Sequence, residues 1–270
     1  MDDQPVAFRA LGDLELCVEF GDRIDLPLNF RVLALDHALR EAKVTGVRET
    51  VPTHRSLGVV YDPLEIRRRD LERVITGLVG SMPELTEFPS RLIVIPVWYD
   101  DPWSGECARA HGVGNNIGYL AEINGITREE VVSRHAGTLH WVSAVGFQPS
   151  TYQAVPLAEM QLSAPKYAQP RKWTDPGTVC LAGIITSYYP VRSPGGYQLL
   201  GRTPIDLFDP LQRNPAFAAG PVLPRVGDRH RYVPINGDEY HAIRAEVEAG
   251  RYEYQIDEGV HRLEFLSGRL

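Results

Sequence analysis

The chain has 270 residues, 43% hydrophobic and 23% charged, with a formal net charge of −7; that is enough chain to bury a core as one large domain or two modest ones. This balance excludes a disordered chain, and the acidic surplus argues against a nucleic-acid partner, which selects a basic surface. No stretch approaches the ~18 consecutive apolar residues of a membrane span.

Cys17, Cys107 and Cys180 are odd in number and far apart, which predicts reduced structural thiols and neither a disulfide frame nor a zinc site. The acidic Met-Asp-Asp-Gln-Pro start is followed by no apolar run, so no secretory signal is expected and the expected location is the cytoplasm. Only Lys43, Lys166 and Lys172 are lysine. Composition bias accounts for the arginine total, while single arginines can grip carboxylates or phosphates with two parallel hydrogen bonds.

Leu14, Leu16, Val18 and Phe20 alternate with polar neighbours and predict a half-buried strand. Asp25 then caps a helix with Pro27 in its first turn and Leu28, Val32, Leu35 and Leu39 on one face, with Gly46 at its exit. Leu57, Val59 and Tyr61 form a second strand, stopped by Asp62-Pro63. A second amphipathic helix carries Leu71, Val74, Ile75 and Leu78. Two helices on one face of a small antiparallel sheet is the economical packing. A linker with Pro83 and Pro89 puts a domain boundary near residue 90, giving domains 1–90 and 91–270.

Arg91 to Tyr99 reads as a strand that Pro96 confines to an edge or a bulge. A short helical insert follows Asp100-Asp101-Pro102, and Thr127 with Glu130 makes a capping box for a helix ending near His135. From Leu139 the texture changes to short strands among Pro and Gly: Leu139, Trp141, Ser143, Val145 and Phe147 alternate, and Thr178–Leu181 and 231–235 are further strands. That density of turns predicts a closed or sandwich-like β body.

No phosphate-binding loop, nucleophile elbow, zinc-protease helix or dinucleotide fingerprint is present, and the scattered histidines predict no metal site. His54, His111 and His140 read as surface or strand polar residues. Ser193-Pro194-Gly195-Gly196 lets backbone approach a ligand, and Arg202-Thr203 offers a charged fork and a hydroxyl to an anion; a tight hairpin with an arginine at its rim is the plainer explanation. The stretch Pro165-Lys166, Pro170-Arg171 and Pro176-Gly177-Thr178-Val179 spaces basic residues with rigid prolines, as a solvated connector also would. His135 sits where a helix C-terminus favours the protonated imidazole, as a general acid or a capping residue.

Several segments occur in a telling order: Gly12-Asp13, Arg55-Ser56-Leu57, Tyr61-Asp62-Pro63-Leu64, Ile95-Pro96-Val97 and Asn124-Gly125-Ile126. They continue through Glu129-Glu130-Val131, His135, Gly146-Phe147, Pro149, Pro170-Arg171, Tyr189-Pro190-Val191, Ser193-Pro194-Gly195-Gly196, Gly201-Arg202-Thr203-Pro204 and Phe208-Asp209-Pro210. In this order the chain resembles the family of the B-type subunit of 5-oxoprolinase, allophanate hydrolase subunit 1 and the sporulation kinase inhibitor, to which part of urea carboxylase is related. The resemblance implies an α+β protein, with a small N-terminal α/β sandwich domain followed by a cyclophilin-like β-barrel domain. It also implies a subunit-2-like partner, with the active cleft between the two. Arg171 and Arg202 would then bind a carboxylate or phosphate, with Gln198, Thr203, Gly195 and Gly196 beside them, and His135 would support proton transfer or order the cleft.

Two departures stand out. The family's Phe-x-Pro-Gly-Phe-Pro-Tyr run is here Phe147-Gln148-Pro149-Ser150-Thr151-Tyr152, which removes glycine freedom. Ile185 stands where a glutamine is usual, which removes a polar contact. The leading expectation is a subunit of an ATP-dependent amide or lactam hydrolase, with ATP and magnesium used by the complex. The alternatives are the carboxyltransferase half of a biotin-dependent carboxylase, with biotin on a separate carrier, and a regulatory binding protein without turnover. A partner-binding barrel should also expose apolar surface when alone.

Overall fold

Leu16, Val18 and Phe20 turn inward together with Leu57, Val59 and Tyr61 in the computed structural model, which describes residues 6–83 and 85–263. Their strands are the inner pair of an antiparallel sheet formed by β1 (Ala7–Leu11), β2 (Glu15–Glu19), β3 (Val47–Pro52) and β4 (Ser56–Tyr61), in the order β1-β2-β4-β3. Helices α1 (Leu26–Ala42) and α2 (Arg68–Ser81) complete this unit. Val32, Leu35 and Leu39 of α1 and Leu71 and Ile75 of α2 join its core, as the period of 3.6 dictates. Asp25 occupies the α1 N-cap position without a side-chain cap bond; its carboxylate accepts from Arg23 instead. The helix ends one turn before Gly46, on Lys43 in the left-handed region (φ 45°). Strand β5 (Glu87–Pro89) follows.

A second unit, 90–259, is organised by a barrel. Its elements are β6 (Leu92–Tyr99), α3 (Pro102–Ala110), α4 (Asn116–Asn124), α5 (Arg128–Ala136), β7 (Leu139–Val145), β8 (Tyr152–Pro156), β9 (Arg171–Thr174), β10 (Thr178–Ala182), β11 (Ile185–Tyr189), β12 (Ser193–Gly195), β13 (Gln198–Arg202), β14 (Arg229–Pro234), α6 (Gly237–Glu248) and β15 (Ile256–Asp257). The sheet order β13-β10-β11-β8-β7-β14-β6 closes on itself through β13–β6 pairing, and β15 flanks β6. The chain is therefore α+β with a β-barrel, and closure removes the exposed edges that an open sheet would carry.

Strand β6 is not an edge, contrary to what Pro96 suggests. It runs parallel to β14 on one side and meets β15 and β13 on the other. Val94 donates to Gln255 O on that second side. Pro96, two residues on, points the same way into the gap between β15 and β13, so no ladder bond is lost. Ahead of β6, Arg91 forms a two-pronged pair with Asp228 (Nε–Oδ1 2.9 Å, Nη2–Oδ2 2.6 Å) and also donates to Leu223 O. The Thr127/Glu130 capping box opens α5 as expected.

Phe147, read as the end of an alternating strand, lies beyond β7 in the turn to β8 and is 96% exposed. In that turn Ser150 keeps a left-handed φ of 63° although it is not glycine, and its hydroxyl donates to Leu207 O. Strand β16 (Val260–Arg262) pairs with β5 and belongs to the first unit, whereas the sequence expectation runs the second domain to residue 270. The short β5 supplies unpaired backbone groups that β16 satisfies. No helix among the described residues is long and apolar enough to cross a membrane. The N-terminal stretch 1–5, on which the expected location rests, lies outside the described residues.

Candidate functional site

Arg171 opens β9 and Gln198 opens β13, and both are almost wholly buried. Arg171 donates from Nε to Thr174 Oγ1 (3.2 Å) and from Nη2 to Tyr197 O (2.7 Å), and its guanidinium lies 5.2 Å from the Tyr167 ring centre. Gln198 donates from Nε2 to Pro165 O (3.0 Å). Two polar atoms remain buried with no hydrogen-bond partner among the described residues: Arg171 Nη1, a donor, and Gln198 Oε1, an acceptor. A buried polar atom left unpaired costs about 1–3 kcal/mol, so each of the two is a place where a ligand with a complementary group would gain.

The strands holding these residues explain the glycines around them. Gly195 of β12 pairs with Arg171 across the two-stranded ladder. A Cβ on Gly195 would fall 1.8 Å from the Tyr189 hydroxyl oxygen, so Tyr189 packing requires this glycine. Gly196 O accepts from Tyr167 N (2.7 Å). Asn116, at the start of α4, takes Leu199 N (2.9 Å) and the Tyr167 hydroxyl (3.0 Å) on one oxygen. Burial pushes the Tyr197 phenol up to about 12. Tyr167, Asn116, Thr174 and Tyr197 escape sequence reasoning, since no motif or spacing singles them out.

Arg202, at the other end of β13, stands apart from that pair. Its guanidinium lies 4.7 Å from the Trp103 ring centre and donates from Nη2 to Pro176 O (2.9 Å), and its Nε is buried without a partner among the described residues. Asp101 lies in the field of Arg202 and N-caps α3 through Oδ1, leaving Oδ2 buried and unpaired. Burial pushes its carboxyl up. Thr203 is spent on the turn: its N–H donates to Gly177 O and its hydroxyl accepts from Ile205 N.

His135 is in a third place, fully buried in the second unit. Tyr99 OH lies 2.7 Å from its Nδ1, and its Nε2 lies 2.9 Å from Thr186 Oγ1. Thr186 Oγ1 is 3.3 Å from His140 Nδ1, and His140 Nε2 is 3.0 Å from His135 O. One assignment satisfies every group: Tyr99 donates to His135, His135 to Thr186, Thr186 to His140, and His140 to the carbonyl. That chain requires both imidazoles to be neutral. The helix dipole expected to favour protonated His135 is outweighed by burial, which lowers its pKa well below the ordinary value. His140 lies on strand β7, the strand half of its expected reading, and is a buried member of this chain of bonds, lowered to about 4 by burial.

No group of three His, Cys, Asp or Glu among the described residues could hold a metal ion. The cysteines are free thiols.

A family model described as the carboxyltransferase domain, subdomain C and D, matches residues 6–218. Over 246 residues the chain is 31% identical to the B-type subunit of 5-oxoprolinase from Bacillus subtilis, covering 87% of this chain and 95% of that protein. It is 27% identical over 270 residues to urea amidolyase of Saccharomyces cerevisiae, covering 94% of this chain and only 15% of that much longer protein. The crystal structure of Kluyveromyces lactis urea carboxylase superimposes on 97% of this chain and 24% of that one, with a TM-score of 0.89 and 24% identity, which speaks for the fold alone. The chain belongs to the family of the carboxyltransferase domain, subdomains C and D.

Proposed function

We propose that this chain is one component of a multi-part, ATP-dependent enzyme that acts on a small amide or lactam. The observation that carries this reading is the unpaired donor and acceptor at Arg171 Nη1 and Gln198 Oε1. A carboxylate or phosphate offers acceptors only and would leave the glutamine oxygen facing negative charge. An amide offers both halves: its carbonyl oxygen accepts from Arg171 and its N–H donates to Gln198. A guanidinium on that oxygen also stabilises the charge that develops there when the carbonyl is attacked or phosphorylated. The relatives 5-oxoprolinase and urea amidolyase act on such groups, and the first of them is built from more than one kind of subunit.

Arg202, clamped by Trp103 and Pro176, is the second cation of this reading, with Thr203 shaping the turn beside it. His135 contributes by ordering the barrel, since both its nitrogens are engaged. A triphosphate presents only acceptors, and a mixed donor–acceptor pair does not fit it. ATP and magnesium are therefore assigned to the assembled enzyme rather than to this chain's residues, and no step is derived through them. The partner is a subunit-2-like protein.

Titration calorimetry of the purified complex with urea, 5-oxoproline and the ring-opened carboxylate glutamate tests the site. The amides should bind more tightly than the carboxylate, and Gln198→Leu and Arg171→Met should each weaken amide binding about tenfold or more. Tighter binding of glutamate, or unchanged binding in both variants, would overturn the assignment.

A second reading, the carboxyltransferase half of a biotin-dependent carboxylase with biotin on a separate carrier, is favoured by the family description. Carboxyl transfer from carboxybiotin to urea by the complex would support it.

A further inference from the structure

The two unpaired atoms at Arg171 and Gln198 are closed off from solvent, so no ligand reaches them unless something moves. The segment lying on both residues is 165–170. Pro165 supplies the carbonyl that holds Gln198, and Tyr167 supplies the ring beside the Arg171 guanidinium. Apart from Tyr167, its residues are exposed, and none belongs to a helix or strand. It is bounded by Pro165 and Pro170, whose fixed φ angles make stiff ends.

Its attachments to the barrel unit are few. On the side before it, Ala164 makes an isolated bridge with Gly183. Along it, Tyr167 N donates to Gly196 O (2.7 Å), the Tyr167 hydroxyl donates to Asn116 Oδ1 (3.0 Å), and Lys166 Nζ rests 4.8 Å from the Tyr197 ring centre. The Asn116 oxygen stays partnered if Tyr167 leaves, because Leu199 N already donates to it. Lifting the segment would also expose Arg171 Nη1 and Gln198 Oε1 to water and end their unpaired burial. Opening thus breaks a handful of bonds and relieves two unpaired groups. Local openings of this kind come from the low end of a protein's stability range.

We infer that residues 165–170 form a hinged strap that lifts to admit the ligand to Arg171 and Gln198, with Tyr167 as its latch. The inference rests on the reading of Arg171 and Gln198 as a ligand site, and on the amide reading for the identity of what enters; the burial of the two atoms then requires the strap to move. The latch acts through its hydroxyl on Asn116 and its backbone on Gly196. Tyr167 is a positioning residue, because its ring also packs against the guanidinium that meets the substrate.

Hydrogen exchange followed by mass spectrometry on the full chain, without ligand, tests the strap. The peptide spanning 165–171 should exchange far faster than the β10 amides Val179–Leu181. Tyr167→Phe should speed strap exchange about fivefold, the factor for one ordinary hydrogen bond, and leave β10 unchanged. Exchange of the Tyr167 amide only at the rate of β10 would overturn the strap, as would an unaltered rate in Tyr167→Phe. Adding 5-oxoproline or urea to the complex then separates the two ideas. Slowed strap exchange supports both, whereas fast strap exchange indifferent to either amide upholds the strap and removes the amide reading.

Discussion

Acidification should unfold the barrel unit through its buried histidines. His135, His140 and His230 are fully buried, and burial lowers His140 to about 4, His230 to about 3 and His135 well below its ordinary value. In the unfolded chain each titrates near pH ~6.5. Below that pH the unfolded state binds protons that the native state refuses, so stability falls as pH drops. Each group contributes a slope of about 1.4 kcal/mol per pH unit between its two pKa values, and three together about 4 kcal/mol per pH unit. Asp101 and Asp228, whose carboxyls burial pushes up, offset part of this loss. Carboxyls held low, such as Asp209 and Glu130, add to it only below pH ~4. All four tryptophans (Trp98, Trp103, Trp141 and Trp173) lie in the barrel unit, so urea denaturation followed by tryptophan fluorescence isolates its stability. Between pH 6.5 and 5 the midpoint should fall steeply. His230→Phe should remove about a third of the slope at little cost at neutral pH, because both His230 nitrogens lack partners among the described residues. A midpoint constant down to pH 5 would refute the neutral relay.

Gly195→Ala should destabilise the protein by about 1–3 kcal/mol, seen as a lower melting temperature, because the added methyl collides with Tyr189. Arg91→Met should cost about 3–5 kcal/mol by stranding Asp228, and Arg91→Met with Asp228→Leu should recover much of that; denaturation of the single and double variants measures both. Thr127→Ala, which deletes the α5 cap, should cost about 1 kcal/mol by the same assay. Phe147→Ser should leave the melting temperature of the isolated chain unchanged, since the ring is 96% exposed.

Elements governed by local pattern were legible in the sequence. The alternation of Leu16, Val18 and Phe20, the spacing of Val32, Leu35 and Leu39, and the Thr127/Glu130 box each carry their own signal and appear in the fold as expected. Long-range partners decide the remainder. Pro96 reads as an edge residue because a sequence does not reveal that β15 and β13 leave a gap at that point. His135 reads as a helix-end cation because its partners Tyr99 and Thr186 lie 36 and 51 residues away. Arg171, Gln198, Gly195 and Gly196 were reached through family resemblance; the structure pairs Arg171 with Gly195 on one ladder and bonds Gln198 and Gly196 to Pro165 and Tyr167. Arg202 and His135, named with them, fall in separate surroundings. Which atoms of Arg171 and Gln198 remain unpaired depends on Thr174, Tyr197 and Pro165, a matter no spacing rule addresses.

The most direct test of the proposed function is ATP turnover by the chain co-expressed with a subunit-2-like protein, measured with and without 5-oxoproline and with and without urea. The account predicts turnover stimulated by one of these amides and abolished in Arg171→Met without loss of the complex. A stable complex with no amide-stimulated turnover, or full stimulation in Arg171→Met, would contradict it.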